Sequence, residues 1–221
     1  MIRTTLLSTT LMTLAFAGSA FAYKAPALMD APHHSGVMVQ AASSSSDEVL
    51  KGATSFINKV SERGLAFLSD KNLSQEQRKK EFRKLLQDSF DLQTIGKFAL
   101  GRYWRTASPE QRKEYLKLFE DMVIDTYAKR FEEYQGQQIK VGKASPVGSK
   151  GDSLVHSAIV SAGAPEVSVE WRVRNEGNTY RVIDVLVEGV SMSVTQRSEF
   201  SAIIQRGGGN IESLLQKLRS R

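Results

Sequence analysis

The chain has no cysteine among its 221 residues. This absence excludes a disulfide framework, a lipid-modified cysteine anchor and any thiol-based metal or redox site. Histidine is also scarce, with three in the whole sequence. His33 and His34 are adjacent near the N-terminus, His156 lies far from them, and no HExxH-type spacing is present. We therefore expect no metal ion and no other cofactor.

Long apolar runs are missing as well. The longest, from Leu6 to Ala17, has about 12 residues, whereas a membrane-spanning helix needs about 20. Arg3 precedes this run, and Ala20-Phe21-Ala22 follows it as a small-x-small cleavage site. The pattern predicts a signal peptide over residues 1–22, cleaved after Ala22. For an exported, cysteine-free chain of this kind we expect the bacterial periplasm.

No basic stripe is present, although the formal net charge is +6. Lysines and arginines are interleaved with acids, as in QEQRKKEFRK and SPEQRKEYLK. This arrangement is typical of solvated helix faces. Together with the predicted export, it argues against a nucleic-acid partner.

The part of the chain that follows the signal has two regions. Residues 23–46 contain Pro26, Pro32 and the run Ser43–Ser46 without a sustained period, which predicts a flexible leader. Residues 47–221 are of the length expected for one domain. The first part of this domain shows apolar residues at helical spacing and two capping boxes, beginning at Ser74 and Ser108. We predict a helix from Asp47, one after Ser74, a short helix over Leu92–Leu100, and a long helix that ends near Gly136.

After Gly136 the apolar period changes to two. Four strands are predicted, near Ile139–Val141, Leu154–Val160, Val167–Val173 and from Tyr180 onward, and short loops favour antiparallel pairing. Two further helices, near 195–205 and 210–218, complete the chain. The predicted fold class is α+β, with helices packed on a twisted four-stranded antiparallel sheet.

The strand that begins at Tyr180 does not follow a simple alternation. Tyr180, Val182 and Leu186 would point to one face, whereas Ile183, Val185 and Val187 would point to the other. Either a bulge near Ile183 changes the register, or something apolar covers the second face. Helices, a partner or a hydrophobic ligand could supply that cover.

A few polar residues could support catalysis. His156 together with Asp184, Glu170 or Glu188 could perform general acid–base chemistry on neighbouring strands. No recognisable nucleophile arrangement accompanies them, so we expect no catalytic residues. A hydrolase or isomerase that acts on a hydrophobic small molecule, and a purely structural adaptor, remain as alternatives.

Two segments resemble a known family. They are FDLQTIGKFALGRYWRTASPEQRKEYLKLFEDMVIDTYAKRFEEY, residues 90–134, and YRVIDVLVEGVSMSVTQRSEF, residues 180–200. Both are similar to signature segments of the MlaC family, also known as toluene-tolerance or ABC-transporter auxiliary proteins. The resemblance covers residues 47–221 and implies helices held against a sheet, with an apolar lipid cavity between them.

The resemblance also implies a function and partners. Family members are periplasmic carriers of glycerophospholipid that maintain outer-membrane lipid asymmetry. Their partners are an outer-membrane lipoprotein–porin complex and the MCE-domain protein of an inner-membrane ABC transporter. By this resemblance the protein would be a monomer that binds phospholipid as cargo and not as a cofactor.

The apolar positions in the two segments and on the adjoining strand are the predicted contacts for the lipid tails. They are Phe98, Leu100, Tyr103, Trp104, Tyr127, Phe131, Val169, Trp171, Val185, Val187 and Met192. Arg102 and Arg197 are candidates for a position near the lipid phosphate.

Overall fold

The computed structural model describes residues 38–148, 151–177 and 179–221. The predicted signal peptide and cleavage site lie outside these residues, as do His33 and His34. The first helix begins at Met38, so residues 38–46, predicted as part of a flexible leader, are helical. Within the described part of the chain, no helix combines the length and apolar character needed to cross a membrane.

Among the described residues, seven α-helices form the first and last parts of the fold. They are α1 Met38–Ser69, α2 Gln75–Ser89, α3 Leu92–Leu100, α4 Tyr103–Thr106, α5 Pro109–Ala128, α6 Met192–Arg206 and α7 Glu212–Arg219. Both predicted capping boxes are formed, because Ser74 and Ser108 each exchange hydrogen bonds with the glutamine three residues later. The prediction that the long helix continues to Gly136 is wrong. α5 ends at Ala128, and a 3-10 helix, Lys129–Glu133, follows it.

The strands form one antiparallel sheet in the order β1-β2-β3-β4-β5. Their bounds are β1 Gln138–Val147, β2 Asp152–Val160, β3 Val167–Glu176, β4 Thr179–Val187 and β5 Val190–Ser191. The four predicted strands are all present. The fifth has only two residues and pairs with the end of β4 after a tight turn at Glu188 and Gly189. The α+β class is confirmed.

A bulge in β4 resolves the two-faced strand. Val182 lies opposite Val173 and Asp184 lies opposite Arg172, so Ile183 has no residue opposite it on β3. This extra residue shifts the alternation by one position. Val182 therefore shares a sheet face with Val185 and Val187, and the first of the two explanations is correct.

Two groups of buried side chains lie near this face of the sheet, one between α1 and the sheet and one among the helices. Ala53 and Ile57 of α1 pack against Val155, Val173 and Val182 of the sheet. The second group is helical and joins α3, α4, α5, α6 and α7 around Tyr115, Phe119 and Phe200. The sheet continues beyond α1 towards α6, and the space between the two groups is the site described next.

Candidate functional site

An apolar cavity of about 280 Å³ lies between the sheet and helices α2, α3, α5 and α6. Its lining side chains are Phe82, Leu86, Phe90, Leu92, Ile95, Phe119, Met122, Val123, Thr126, Tyr127, Trp171, Asp184, Val185, Val187, Met192, Ser193 and Gln196. Most of these are aliphatic or aromatic. Such a lining is typical of sites that bind hydrophobic ligands.

Strands β3 and β4 form the floor of the cavity. Val185 lies directly opposite Trp171, and Val187 lies opposite Val169. The indole N–H of Trp171 donates to Ser157 Oγ at 2.9 Å, and Ser157 Oγ in turn donates to the carbonyl of Val169 at 2.8 Å. These two hydrogen bonds fix the orientation of the indole ring.

The helical walls are built by residues one turn apart. Phe82, Leu86 and Phe90 follow each other at four-residue spacing from α2 to its C-cap, so they present one continuous apolar stripe. Phe90 joins the wall to the floor. Its ring packs edge-on against Trp171 at 6.4 Å between centroids, and Asp91 N–H donates to the Val182 carbonyl at 2.9 Å.

The ionisable groups of the cavity are already partnered or neutral. Asp184 accepts hydrogen bonds from Ser191 Oγ at 2.6 Å and from the Ser193 amide at 3.1 Å, which fixes the junction between β4 and α6. Burial raises the pKa of the Tyr127 hydroxyl, so this group stays uncharged at neutral pH. Among the residues that the structure describes, no three His, Cys, Asp or Glu side chains form a group suited to a metal ion.

Five of the eleven predicted lipid contacts line the cavity: Tyr127, Trp171, Val185, Val187 and Met192. They come from α5, β3, β4 and α6, so the fold brings together positions that lie far apart in the sequence. Whether these side chains touch lipid stays a prediction.

The other six predicted contacts lie outside the cavity lining. Leu100 and Tyr103 are buried in the helical core, with Trp104 packed against it. Phe131 packs edge-on against Phe67 and Phe82.

The last two of these six differ in exposure. Val169 is buried beside the cavity floor, whereas Phe98 is 41% exposed beneath Arg197. Apolar periodicity alone does not distinguish these positions from cavity lining, and whether they touch lipid also stays a prediction.

The lining positions that the sequence reasoning did not select are mainly on α2, α3 and α5. Phe82, Leu86 and Phe90 of the α2 stripe, and Phe119, Met122 and Val123 of α5, lie at helical spacing, which predicts an apolar helix face but not a cavity wall. The sequence does carry one usable signal, because an aromatic–leucine–aromatic stripe at four-residue spacing ends at Phe90, the first residue of the matched segment 90–134.

His156 lies away from the cavity lining. Its Nδ1 lies 2.8 Å from Glu170 Oε1, and its Nε2 lies 3.3 Å from Ser145 Oγ. The order serine–histidine–glutamate is that of a hydrolase relay. However, the histidine side chain is about half exposed, and Ser145 is followed by Pro146, which has no N–H to stabilise an oxyanion. The arrangement is a surface hydrogen-bond chain across β1, β2 and β3.

The family model for the MlaC protein matches residues 58–220, which is most of the chain. The chain belongs to the MlaC family. The matched range contains every residue of the cavity lining and both segments on which the resemblance depended.

Two curated proteins are similar to this MlaC-family chain. One is the intermembrane phospholipid transport system binding protein MlaC of Haemophilus influenzae, 26% identical over 132 residues, which are 58% of this chain and 61% of that protein. The other is the toluene tolerance protein ttg2D of Pseudomonas putida, 26% identical over 114 residues, 52% of this chain and 53% of that protein. The chain therefore aligns with little more than half the length of either relative.

A solved structure shares the fold. It is the phospholipid-binding protein of Ralstonia solanacearum in complex with a phospholipid, and it superposes with a TM-score of 0.66 at 24% identity. The alignment covers 76% of this chain and 95% of that one. At this identity the likeness establishes the fold.

Proposed function

We propose that this protein is a non-enzymatic phospholipid carrier that holds acyl chains in the cavity between the sheet and helices α2, α3, α5 and α6. The observation that carries the proposal is the apolar cavity, which lies in a chain that belongs to the MlaC family. The lining has one carboxylate, Asp184, and its oxygens are occupied by hydrogen bonds from the chain. The site is therefore suited to holding a hydrophobic cargo and not to transforming it.

The energetic reason for such a carrier is the cost of exposing lipid tails. A two-tailed phospholipid has on the order of 30 methylenes, each worth ~0.8 kcal/mol when buried, so its exposure costs roughly 20–25 kcal/mol. Apolar burial is non-directional and accepts chains of different length. We expect weak selectivity among head groups for the same reason.

The small volume of the cavity implies that helices must move when lipid binds. About 280 Å³ lies just below the roughly 300–1,000 Å³ that is usual for ligand pockets. Two acyl chains need more space than this. Lipid binding would then require the helices to move outward from the sheet, with α5 and α6 as candidates because their side chains form part of the wall.

The transport route belongs to the same proposal. We expect an exported protein, cleaved after Ala22, that carries glycerophospholipid across the periplasm. Its partners would be an outer-membrane lipoprotein–porin complex and the MCE-domain protein of an inner-membrane ABC transporter. Support comes from the predicted signal peptide and from the name of the Haemophilus relative, an intermembrane phospholipid transport protein.

The positions of the two tryptophans allow a direct test. The chain contains two tryptophans, of which Trp171 lines the cavity and Trp104 lies among surface cations. In the Trp104→Phe variant, Trp171 is the only tryptophan, so excitation at a wavelength that tyrosine does not absorb reports on it alone. Phospholipid with brominated acyl chains should quench its fluorescence strongly after loading, because the bromine atoms would lie in van der Waals contact with the ring.

The matched control is Trp171→Phe, in which Trp104 is the only tryptophan. We expect little quenching of Trp104 by the same loaded lipid. Equal quenching of the two tryptophans would place the lipid outside this cavity. Absence of phospholipid from solvent extracts of gently purified protein would count against the carrier as a whole.

A further inference from the structure

All four cation–π contacts within the described residues lie in one region of the surface. Arg197 lies over Phe98 at 5.1 Å and Arg102 over Tyr103 at 5.0 Å. Lys97 at 5.7 Å and Arg112 at 5.4 Å both lie over the ring of Trp104. We call the surface formed by Lys97, Phe98, Arg102, Trp104, Arg105, Arg112 and Arg197 the basic–aromatic surface.

The segments that form this surface are physically continuous. Arg112 donates to the carbonyls of Trp104 at 2.8 Å and Arg105 at 3.2 Å, which joins the start of α5 to α4. Gly101, with φ of +59°, ends α3, and a Cβ atom there would lie 3.0 Å from Arg197 Nε. The glycine thus leaves room for Arg197 of α6 to cross the end of α3.

The cations of this surface have no acidic partners. Within residues 38–148, 151–177 and 179–221, ion pairs involve arginines and lysines on other surfaces, and none includes the five cations defined here. The acids nearby are engaged elsewhere, since Glu110 accepts from Ser108 and Glu114 pairs with Arg219. Arg112 uses part of its guanidinium on the carbonyls of Trp104 and Arg105, and Arg102 donates to Tyr103 Oη at 3.0 Å, but an arginine stacked on a ring can direct its remaining in-plane N–H groups to an oxyanion.

Exposed apolar side chains are interleaved with these cations. Phe98 is 41% exposed, and Val194 is 51% exposed one turn before Arg197 on α6. The surface also adjoins the cavity, because Ile95 lies one turn before Phe98 and Gln196 immediately precedes Arg197. It therefore combines positive charge, aromatic rings and access to the cavity-forming helices.

We propose that the basic–aromatic surface docks the protein onto an anionic phospholipid bilayer. Unpaired cations are attracted to an anionic leaflet, and aromatic and aliphatic side chains insert among the head groups. An acidic protein could satisfy the same charges, so the test below includes that outcome. Docking of this kind does not require the cavity to hold lipid, so this proposal and the carrier proposal can fail separately.

The test measures partition of the purified protein onto vesicles that contain phosphatidylglycerol, by cosedimentation at low salt. The variant is Arg102→Ala/Arg105→Ala/Arg197→Ala. Each cation near an anionic surface raises the partition coefficient about fivefold, so removal of three cations predicts a loss of about a hundredfold. Raising the salt concentration should weaken binding of the unmodified protein.

The matched control removes three unpaired, exposed cations from another surface, Lys51→Ala/Lys59→Ala/Lys143→Ala, which lie in the groove between α1 and β1. This control variant has the same net charge as the first triple variant and should bind the vesicles nearly as well as the unmodified protein. Equal losses in the two triple variants would overturn the proposal, because binding would then follow net charge alone. All six side chains are exposed, so both variants should fold, and loss of the Arg102 and Arg197 cation–π contacts should lower the unfolding temperature of the first variant only slightly.

Two further outcomes would also overturn it. One is a failure of the unmodified protein to bind these vesicles, or equal binding to vesicles of phosphatidylcholine alone. The other is binding to polyglutamate, lost in the first variant, with no binding to vesicles; the surface would then dock an acidic protein. Val185→Phe, a substitution in the cavity floor, should leave vesicle binding unchanged, which separates docking from cargo binding.

Discussion

Val185 on β4 lies directly opposite Trp171 on β3, and both side chains line the apolar cavity. The bulge at Ile183 is responsible for this pairing. In a regular strand Val182 and Val185, three residues apart, would point to opposite faces. Because Ile183 is an extra residue, Val182 packs in the core with α1 while Val185 continues the same face into the cavity floor.

Filling the cavity floor should displace the cargo. Val185→Phe adds ring volume beside Trp171, so we expect much less phospholipid per mole of purified protein, at a cost of about 1–3 kcal/mol in the free energy of unfolding. The control is Val167→Phe, on β3 but exposed and outside the cavity lining. Unchanged lipid content in Val185→Phe would show that this cavity does not hold the tails.

Loading should move α5 away from the sheet. The natural absence of cysteine permits spin labels at two introduced cysteines. For Thr126→Cys on the α5 rim and Ser168→Cys on β3, we expect the distance between the labels to increase by several ångströms on loading. A second pair, Lys117→Cys on α5 and Lys217→Cys on α7, should keep its distance, because Arg219 and Glu114 fasten these helices together. No change in the first pair would contradict the proposed opening.

Asp152 should make a large contribution to stability. Its side chain is fully buried and accepts hydrogen bonds from Arg172 at 2.8 Å and Arg174 at 2.9 Å. Breaking a buried pair of this type costs roughly 3–5 kcal/mol, and the partial exposure of both arginines places Asp152→Ala near ~3 kcal/mol. The exposed pair of Asp88 with Arg63 is the control, since Asp88→Ala should cost less than ~1 kcal/mol.

The Asp152 carboxylate also predicts that the stability of the fold depends on pH. Burial alone would raise the pKa of Asp152, but the hydrogen bonds and charges of Arg174 and Arg172 outweigh it and lower the pKa below its ordinary value. Its contribution to stability is therefore complete above the unfolded pKa of about 3.9 and is lost as the pH falls through the lower folded value. Unfolding curves that show Asp152→Ala with the same acid sensitivity as the unmodified protein would contradict this assignment.

Gly52 of α1 lies close to the ring of Tyr180 on β4. A Cβ atom at this position would lie 2.0 Å from Tyr180 Oη and 2.5 Å from Cζ. Alanine normally favours a helix over glycine by ~1 kcal/mol, but here the rigid ring cannot yield, so we expect Gly52→Ala to destabilise the fold by about 1–3 kcal/mol. In the background of Tyr180→Leu the same substitution should be neutral or stabilising. Additive effects in a double-mutant cycle would refute the contact.

Local order is well predicted from this sequence. The two capping boxes, the end of α3 at Gly101 and the four long strands each depend on residues close together in the chain, and all are formed. From the sequence alone, the bulge near Ile183 is one of two possible explanations for the two-faced strand. The choice between them depends on the pairing with β3, because only the opposite strand shows that Ile183 is the residue without a partner.

The membership of the cavity was predicted in part. Tyr127, Trp171 and Val185 were selected and do line it, but Leu100 and Phe131 were selected for the same apolar character and lie elsewhere. An apolar side chain that faces a solid core and one that faces a cavity obey the same periodicity.

The sequence by itself determined the absence of cysteine chemistry, the helix starts set by Ser74 and Ser108, the antiparallel pairing favoured by short loops, and the resemblance to a family. Only the tertiary structure decided which apolar faces are in contact and which are held apart. It also decided that the unpaired cations of α3, α4, α5 and α6 share one surface. The physical reason is that capping and alternation depend on neighbours within a few residues. A cavity or a charged surface depends on distances between elements that the chain brings together only on folding.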